Sequence, residues 1–383
     1  MITVYCKDIK MNLIKRLLLL SVLSFCFLSF ADDKAEIEAC INKSIKAGMS
    51  LDFKTFKQYC SKDYVKLPKD KKVLDRKVLE RTALYFERIK DPKLTFSELV
   101  KLNFMLKGQT VSDAQLAMYR KMDSTPRGKM QVLQAQKQIR EAEKNIVELC
   151  EELLPKIEYG PLFISKDIAV KFYKLEFETI KSKGVLVLRK EDNQWKFYRE
   201  FSITDSDYDK SVATEAEVRK FVNKSNKLSR TFKNYVDLMQ IYSKEALAYY
   251  PDGTSSDYQQ ALKKAQFWDM LKNGNPTFAE AAPLWAEASG ITVTAEMQAD
   301  FIEDKGGQGK KWLKKSKDAM LKHRAEIKKT FKSSIKHIVL FEDCALLIDS
   351  FVLPNSGKTE RISLIKKNKG KYLILRSASR KID

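Results

Sequence analysis

Histidine is nearly missing from this sequence: its 383 residues hold two, His323 and His337, both in the second half. A Ser-His-Asp or Cys-His triad is therefore excluded from the first half, because each needs an imidazole as general base. The six cysteines include no pair at CxxC spacing, so the usual zinc signatures are missing too. Phosphate-binding Gly-rich loops, dinucleotide fingerprints and recognised nucleic-acid modules are likewise not found. No cofactor and no metal is expected, and nucleic acid is a disfavoured partner. Beyond the N-terminal region, no apolar run approaches the roughly 20 residues of a membrane-spanning helix.

The N-terminal region has the order of a signal peptide. Lys15 and Arg16 precede the apolar run Leu17 to Leu28, and Ser29-Phe30-Ala31 places small residues where a signal peptidase reads. Residues 1–31 are the expected leader, with Asp32-Asp33 opening the mature chain. A lipoprotein reading through Cys26 meets the bulky Phe25 where a small residue is wanted. The expected location is exported, periplasmic or secreted, with no transmembrane segment after leader cleavage.

What the sequence does contain is a repeat. AEIEACINKS (35–44) returns as AEVRKFVNKS (216–225), and Ser61-Lys62-Asp63 as Ser243-Lys244-Glu245. Thr95-Phe96-Ser97-Glu98 matches Thr277-Phe278-Ala279-Glu280, Gly108 matches Gly290, and Trp195 and Arg199 match Tyr372 and Arg376. The spacing stays between 177 and 182 throughout. Two tandem domains are expected, 32–207 and 208–383, since two copies do not make a solenoid.

Each copy reads as α+β, several helices followed by a curved antiparallel sheet of about four strands packed on a long helix. Asp52 is a helix N-cap, and Thr95 with Glu98 a capping box. After Gly128, Val132, Ala135, Ile139, Ala142, Ile146, Leu149 and Leu153 form one amphipathic stripe. Strands are expected over 157–165, 168–179, 184–190 and 195–203, the last two joined by a turn at Glu191-Asp192-Asn193. The second copy repeats this order.

The opening helix, the short second helix in FKTFKQYCSKDYV (53–65) and the closing strands GVLVLRKEDNQWKFYREF (184–201) resemble the nuclear-transport-factor-2-like, or SnoaL-like, superfamily of cystatin-like α+β rolls. That resemblance implies a curved sheet wrapped on a helix around a cone-shaped pocket, a scaffold used by isomerases, hydrolases and non-catalytic binding domains. The middles of the copies, 73–127 and 255–308, read as helices added to that pattern.

Candidate site residues follow from the closing strand, where alternation puts Trp195, Phe197 and Arg199 on one face. An arginine beside an aromatic can hold an anionic or planar ligand, and Tyr372 with Arg376 repeats the arrangement. Asp63 and Glu245, at matching positions, are the candidate carboxylates for acid–base work. Cys40 and Cys60 could form a disulfide in an oxidising compartment, yet Cys40, Cys60 and Cys150 align with Phe221, Tyr242 and Phe331, which points to buried apolar positions.

Charge is the largest bulk feature, +21 over the chain. It is densest from Lys310 to Lys336, where Lys311, Lys314, Lys315, Lys322, Lys328 and Lys329 could contact an anionic surface. The expected function is an exported non-catalytic binding protein with two duplicated pocket-type domains, its partner a small ligand or an anionic envelope component. Two alternatives stay open: a basic protein binding anionic lipid or wall polymer, and an isomerase or hydrolase using a buried carboxylate. Export is tested by intact-mass analysis of protein from the native host, which should lack about 31 N-terminal residues. A full-length cytosolic product would refute it.

Overall fold

The computed structural model describes residues 31–68, 70, 72–177, 180–204, 212–353, 357–368 and 370–382. The expected leader, apart from Ala31, and the expected domain junction at 207/208 lie outside these residues. The chain divides into two units, one ending at Asp205 and the other starting at Ser206. Among the described residues, no helix is long and apolar enough to cross a membrane.

Unit one opens with α1 (Ala31–Met49) and α2 (Phe53–Gln58), then β1 (Cys60–Leu67) and β2 (Leu74–Asp75). Four helices follow, α3 (Arg76–Ile89), α4 (Phe96–Leu106), α5 (Asp113–Arg120) and α6 (Pro126–Leu153). The chain closes with β3 (Ile157–Ser165), β4 (Ile168–Phe177), β5 (Ile180–Glu191) and β6 (Gln194–Thr204). Local chemistry sets the helix starts. The Asp52 carboxylate accepts from the Thr55 amide at 3.0 Å, Thr95 and Glu98 form a reciprocal capping box, and Thr125 caps α6 ahead of Pro126. Asp192 and Asn193 both take positive φ, 51° and 59°, in the tight β5–β6 turn, a conformation their short polar side chains tolerate.

The strand order is β2-β1-β6-β5-β4-β3. β3 to β6 form an antiparallel meander, and β1 runs parallel to β6. The four expected strands are thus present, and β1 and β2 extend the sheet to six. One face meets the helices: Ala169, Tyr173, Leu186, Leu188, Trp195 and Phe197 share a core with Ile37, Ile41, Leu79, Phe86, Ile146 and Leu153. On the other face Val170, Phe172, Val185, Val187 and Phe201 are buried as well. Burial on both sides is why Val185-Leu186-Val187-Leu188 is apolar at every position rather than alternating.

Unit two repeats the plan with α7 (Glu215–Thr231), β7 (Tyr242–Tyr249), β8 (Ser255–Asp257), α8 (Tyr258–Asn273), α9 (Phe278–Ala288), α10 (Ala295–Glu303) and α11 (Gln308–Thr330). Its meander is β9 (Lys332–Phe341), β10 (Cys344–Leu353), β11 (Gly357–Asn368) and β12 (Lys371–Ile382), in the order β8-β7-β12-β11-β10-β9. The apolar interior is split here. Val218, Val222, Ala345, Leu347, Ile365 and Ile374 form a sheet-side core. Phe267, Leu271, Ala281, Leu313 and Met320 form a separate helical one, against which Trp268, Trp285 and Trp312 pack.

In unit one the Tyr173 ring crosses directly over Gly184, its cross-strand neighbour on β5. A Cβ at Gly184 would stand 2.0 Å from Tyr173 Oη and 2.6 Å from the Phe201 carbonyl oxygen. Gly184→Ala should therefore lower stability by about 1–3 kcal/mol, the usual cost of overpacking. Adding Tyr173→Leu should restore part of the loss. Denaturant midpoints check both, and an unchanged midpoint in the single variant would contradict the close approach.

Candidate functional site: two diverged sheet faces

Alternation along β6 breaks at one residue, and this redraws the expected site. Phe197 pairs with Leu188 while Arg199 pairs with Val187, so Tyr198 is an extra residue, a β-bulge. Paired residues share a face, so Arg199 turns to the side of Val187, away from Trp195 and Phe197. Glu200 takes the helix-facing side instead, opposite Leu186. Unit two carries the same bulge: Ile374 pairs with Ile365 and Arg376 with Leu364, leaving Leu375 extra. The sequence expectation of Trp195, Phe197 and Arg199 on one face is corrected accordingly.

Both arginines are buried and engage the backbone. Across the parallel pairing, Cys60 faces Phe197 and Val65 faces Arg199, so β1 advances five residues while β6 advances two. The excess chain carries carbonyls that the ladder does not pair in register. Arg199 Nη1 donates to the Asp63 carbonyl and, at 2.8 Å, to the Tyr198 carbonyl. Its guanidinium lies 3.9 Å from the Tyr198 ring centroid. Arg376 Nη1 likewise donates to the carbonyls of Glu245 at 2.7 Å and Leu375 at 2.8 Å. The structure thus joins Arg199 to Asp63 and Arg376 to Glu245 through main-chain oxygens, contacts that the sequence reading did not foresee. The side chains of Asp63 and Glu245 are half-buried on β1 and β7.

Trp195 and Tyr372 are also used in matching ways. Trp195 Nε1 donates to Asp33 Oδ1 at 3.1 Å, and Lys190 Nζ reaches the same oxygen at 2.6 Å. In unit two Tyr372 Oη donates to Glu217 Oε2 at 3.0 Å and Lys367 Nζ to Glu217 Oε1 at 3.1 Å. Each unit thereby pins its first helix to its last hairpin with an acid, an aromatic and a lysine. Hydrogen bonding from Lys190 holds the Asp33 carboxyl below its usual range, and that from Lys367 does the same for Glu217.

Sequence reasoning missed the helix-facing polar group of unit one. Glu200 lies with Lys66 Nζ 2.7 Å from its Oε1, and Tyr64 Oη donates to its Oε2 at 3.2 Å. Beside them Tyr173 Oη and Ser202 Oγ are 3.4 Å apart, and Lys171 Nζ lies 3.3 Å from Glu38 Oε1 on α1. Glu200 is 3 % exposed and Lys66 2 %. Burial pushes the Glu200 carboxyl up and the Lys66 ammonium down, each toward its neutral form, while their mutual attraction opposes both shifts. The signal for Glu200 was hidden because counting by twos from Trp195 skips it until the bulge is known.

Unit two replaces this group. By register, the places of Tyr64, Lys66 and Glu200 fall to Ala246, Ala248 and Ser377, and those of Tyr173 and Gly184 to Asp349 and Arg361. Asp349 is fully buried and grips Arg361 through Nε at 3.1 Å and Nη2 at 2.7 Å, a two-pronged charge-assisted pair. Arg361 also lies over the Phe351 ring at 5.3 Å. Phe351 borders a cavity of about 520 Å³ lined by Asn226 and Arg230 of α7, Phe331 at the end of α11, Ser333 and Ser334 of β9, Ser350 and Val352 of β10, and Lys358 of β11. Asn226 donates to Ser333 Oγ at 2.8 Å, and the Phe331 and Phe351 rings are 5.9 Å apart. Among the described residues the lining holds two cations, a set of hydroxyls and an aromatic pair, and no carboxylate.

The remaining candidates divide by exposure. Cys40, Cys60, Cys150 and Cys344 are buried free thiols, and burial pushes the Cys40 thiol up to about 12. Lys311, Lys314, Lys315, Lys322, Lys328 and Lys329 are all solvent-exposed on α11. Among the described residues no three His, Cys, Asp or Glu side chains gather as metal ligands.

No protein-family model and no curated protein matches the chain. Solved structures do. A ketosteroid isomerase-like protein from Erwinia carotovora atroseptica SCRI1043 shares 11% identity over 46% of this chain and 99% of its own, with a TM-score of 0.22. An NTF2-like protein of unknown function from Shewanella baltica OS155 shares 9% over 45% and 98%, TM-score 0.22. A domain of unknown function with a cystatin-like fold from Nostoc punctiforme PCC 73102 shares 13% over 45% and 81%, TM-score 0.24. Each aligns with about half of this chain, and at these scores the likeness bears on no residue's role. The α+β roll of each half, read from its own strand order, is the architecture that the sequence resemblance implied.

The buried pair of unit one makes a direct prediction. Glu200→Leu should cost about 3–5 kcal/mol, because it removes the carboxylate 2.7 Å from the buried Lys66 ammonium. Lys66→Met combined with Glu200→Leu should recover most of that loss. Urea unfolding of the two variants checks this, and losses that simply add would show that the charges are not coupled.

Proposed function

We propose that the protein is an exported, non-catalytic binding protein whose ligand site is the cavity of unit two beside α7. The observation that carries the reading is the lining of that cavity. Its volume falls within the range of small-molecule sites, roughly 300–1,000 Å³. Arg230 and Lys358 supply positive charge, no carboxylate stands among the described lining residues, and Phe331 and Phe351 supply an aromatic wall. This combination suits a small ligand with an anionic group and an apolar body. Export rests on the order of basic, apolar and small residues over 15–31.

The non-catalytic reading is supported by how the helix-facing carboxylates are engaged. Glu200 faces Lys66, Asp349 is held by Arg361, and Glu38 faces Lys171. A carboxyl with a raised pKa, such as Glu200, is what acid–base chemistry needs. At 3 % exposure, however, Glu200 has no surface to offer a substrate without rearrangement of the helices that cover it.

Titration with decanoate, decanol and decyltrimethylammonium, followed by intrinsic fluorescence and calorimetry, tests the site. The wild type should bind decanoate at least tenfold more tightly than either of the others. Arg230→Ala, a substitution at an exposed helical position, should weaken decanoate tenfold or more, about 1.4 kcal/mol, and leave decanol unchanged. Equal affinity for all three, or an Arg230→Ala variant that binds like the wild type, would remove the anionic ligand from this cavity.

A further inference from the structure

The long helices of the two units occupy equivalent places but handle charge differently. On α6, Lys137 lies 3.9 Å from Glu141 and Lys144 3.8 Å from Glu148, so lysines face acids one turn away. On α11 the cations fall into two sets. Lys317 and Arg324 are used inward: Lys317 Nζ donates to the Gly274 carbonyl at 2.8 Å, and Arg324 Nη2 to the Phe232 carbonyl at 2.6 Å. The outward set includes Lys310 and Lys328 on a neighbouring side and, on one side, Lys311, Lys314, Lys315, Lys322 and Lys329, all exposed and these five without an ion-pair partner among the described residues.

These five form a line. At 3.6 residues per turn, Lys311, Lys315, Lys322 and Lys329 recur on one side of the helix and Lys314 flanks them, over about 27 Å. Asp318 is the one acid in the line, and Glu326 lies just beside it. With five lysines against these two acids the row keeps a net positive charge, so an opposing negative surface lowers its energy. We propose that this lysine line docks the protein on an anionic lipid surface, an interaction separate from the cavity of unit two.

Side-chain chemistry favours lipid over other polyanions. The line has lysines only, point charges on flexible stems, and no arginine fork to grip a fixed phosphate in two places. It also lacks an exposed aromatic on which a base or sugar ring could stack, since Trp312 packs into the helical core. Separate flexible ammonium groups match a fluid sheet of mobile anionic heads. Leu321, 44% exposed beside the line, adds an apolar contact at the interface.

Sedimentation with phosphatidylglycerol-rich and pure phosphatidylcholine vesicles tests the proposal. One variant replaces Lys311, Lys314, Lys315, Lys322 and Lys329 by Gln. A second loses the same charge elsewhere, with Lys62, Lys77, Lys93, Lys129 and Lys137 changed to Gln. All carry the same N-terminus, and unchanged circular dichroism confirms folding. Each basic group near such a membrane contributes enough that losing five should weaken binding a hundredfold or more. The expected result is that loss for the first variant, a change under threefold for the second, and release of the wild type by 0.5 M salt. Equal loss in both variants, equal binding to phosphatidylcholine, insensitivity to salt, or retention on heparin without vesicle binding would each overturn it.

Discussion

One extra residue in the closing strand of each unit governs the rest of the structure. Tyr198 and Leu375 are bulges, and each reverses the facing of every residue that follows it on its strand. The neighbouring parallel strand bulges more widely, five residues against two, and the mismatch presents main-chain oxygens. Arg199 and Arg376 donate to these oxygens from buried positions, so a charge that would be costly inside an apolar layer becomes the tie between strands. Without the bulge the arginines would enter the helix-facing core and Glu200 would leave it.

The two copies keep this frame and differ in what they mount on it. In unit one the helix-facing surface carries Lys66, Glu200 and Tyr64, with Tyr173 laid across Gly184. In unit two the matching places hold small residues and a two-pronged Asp349–Arg361 pair, and the apolar interior separates into a sheet-side and a tryptophan-lined helical core. Side-chain bulk is redistributed: Ala246, Ala248 and Asp349 stand where unit one has Tyr64, Lys66 and Tyr173, while Arg361 stands where unit one has Gly184. The cavity beside Phe351 belongs to unit two.

Charge is likewise sorted by location. Inside, cations meet carboxylates or carbonyls at hydrogen-bonding distance, because an unmatched charge in an apolar layer costs several kcal/mol. Outside, α6 sets lysines beside acids one turn away, whereas on α11 the lysines outnumber the acids among them. The excess positive charge of the chain is therefore not spread evenly; part of it is a row on one helix.

The sequence by itself determined the duplication, the α+β class, the capped helix starts, the four meander strands and the turn at Asp192-Asn193. Those features are local: caps, stripes and turn residues act within a few positions, and a repeat needs only comparison. It also set Asp63 against Glu245 and Arg199 against Arg376 as equivalent positions of the two copies. Tertiary structure alone decided what those pairs do, because the bulges at Tyr198 and Leu375 appear only when strands are set in register. The strand Cys60–Leu67 was hidden for the same reason, since its bulge erases the alternation that marks a strand. Glu200, Lys66 and Tyr64 stand far apart in sequence and carry no motif. They meet because a parallel strand from the start of the unit pairs with its last strand, a long-range contact that no periodicity records.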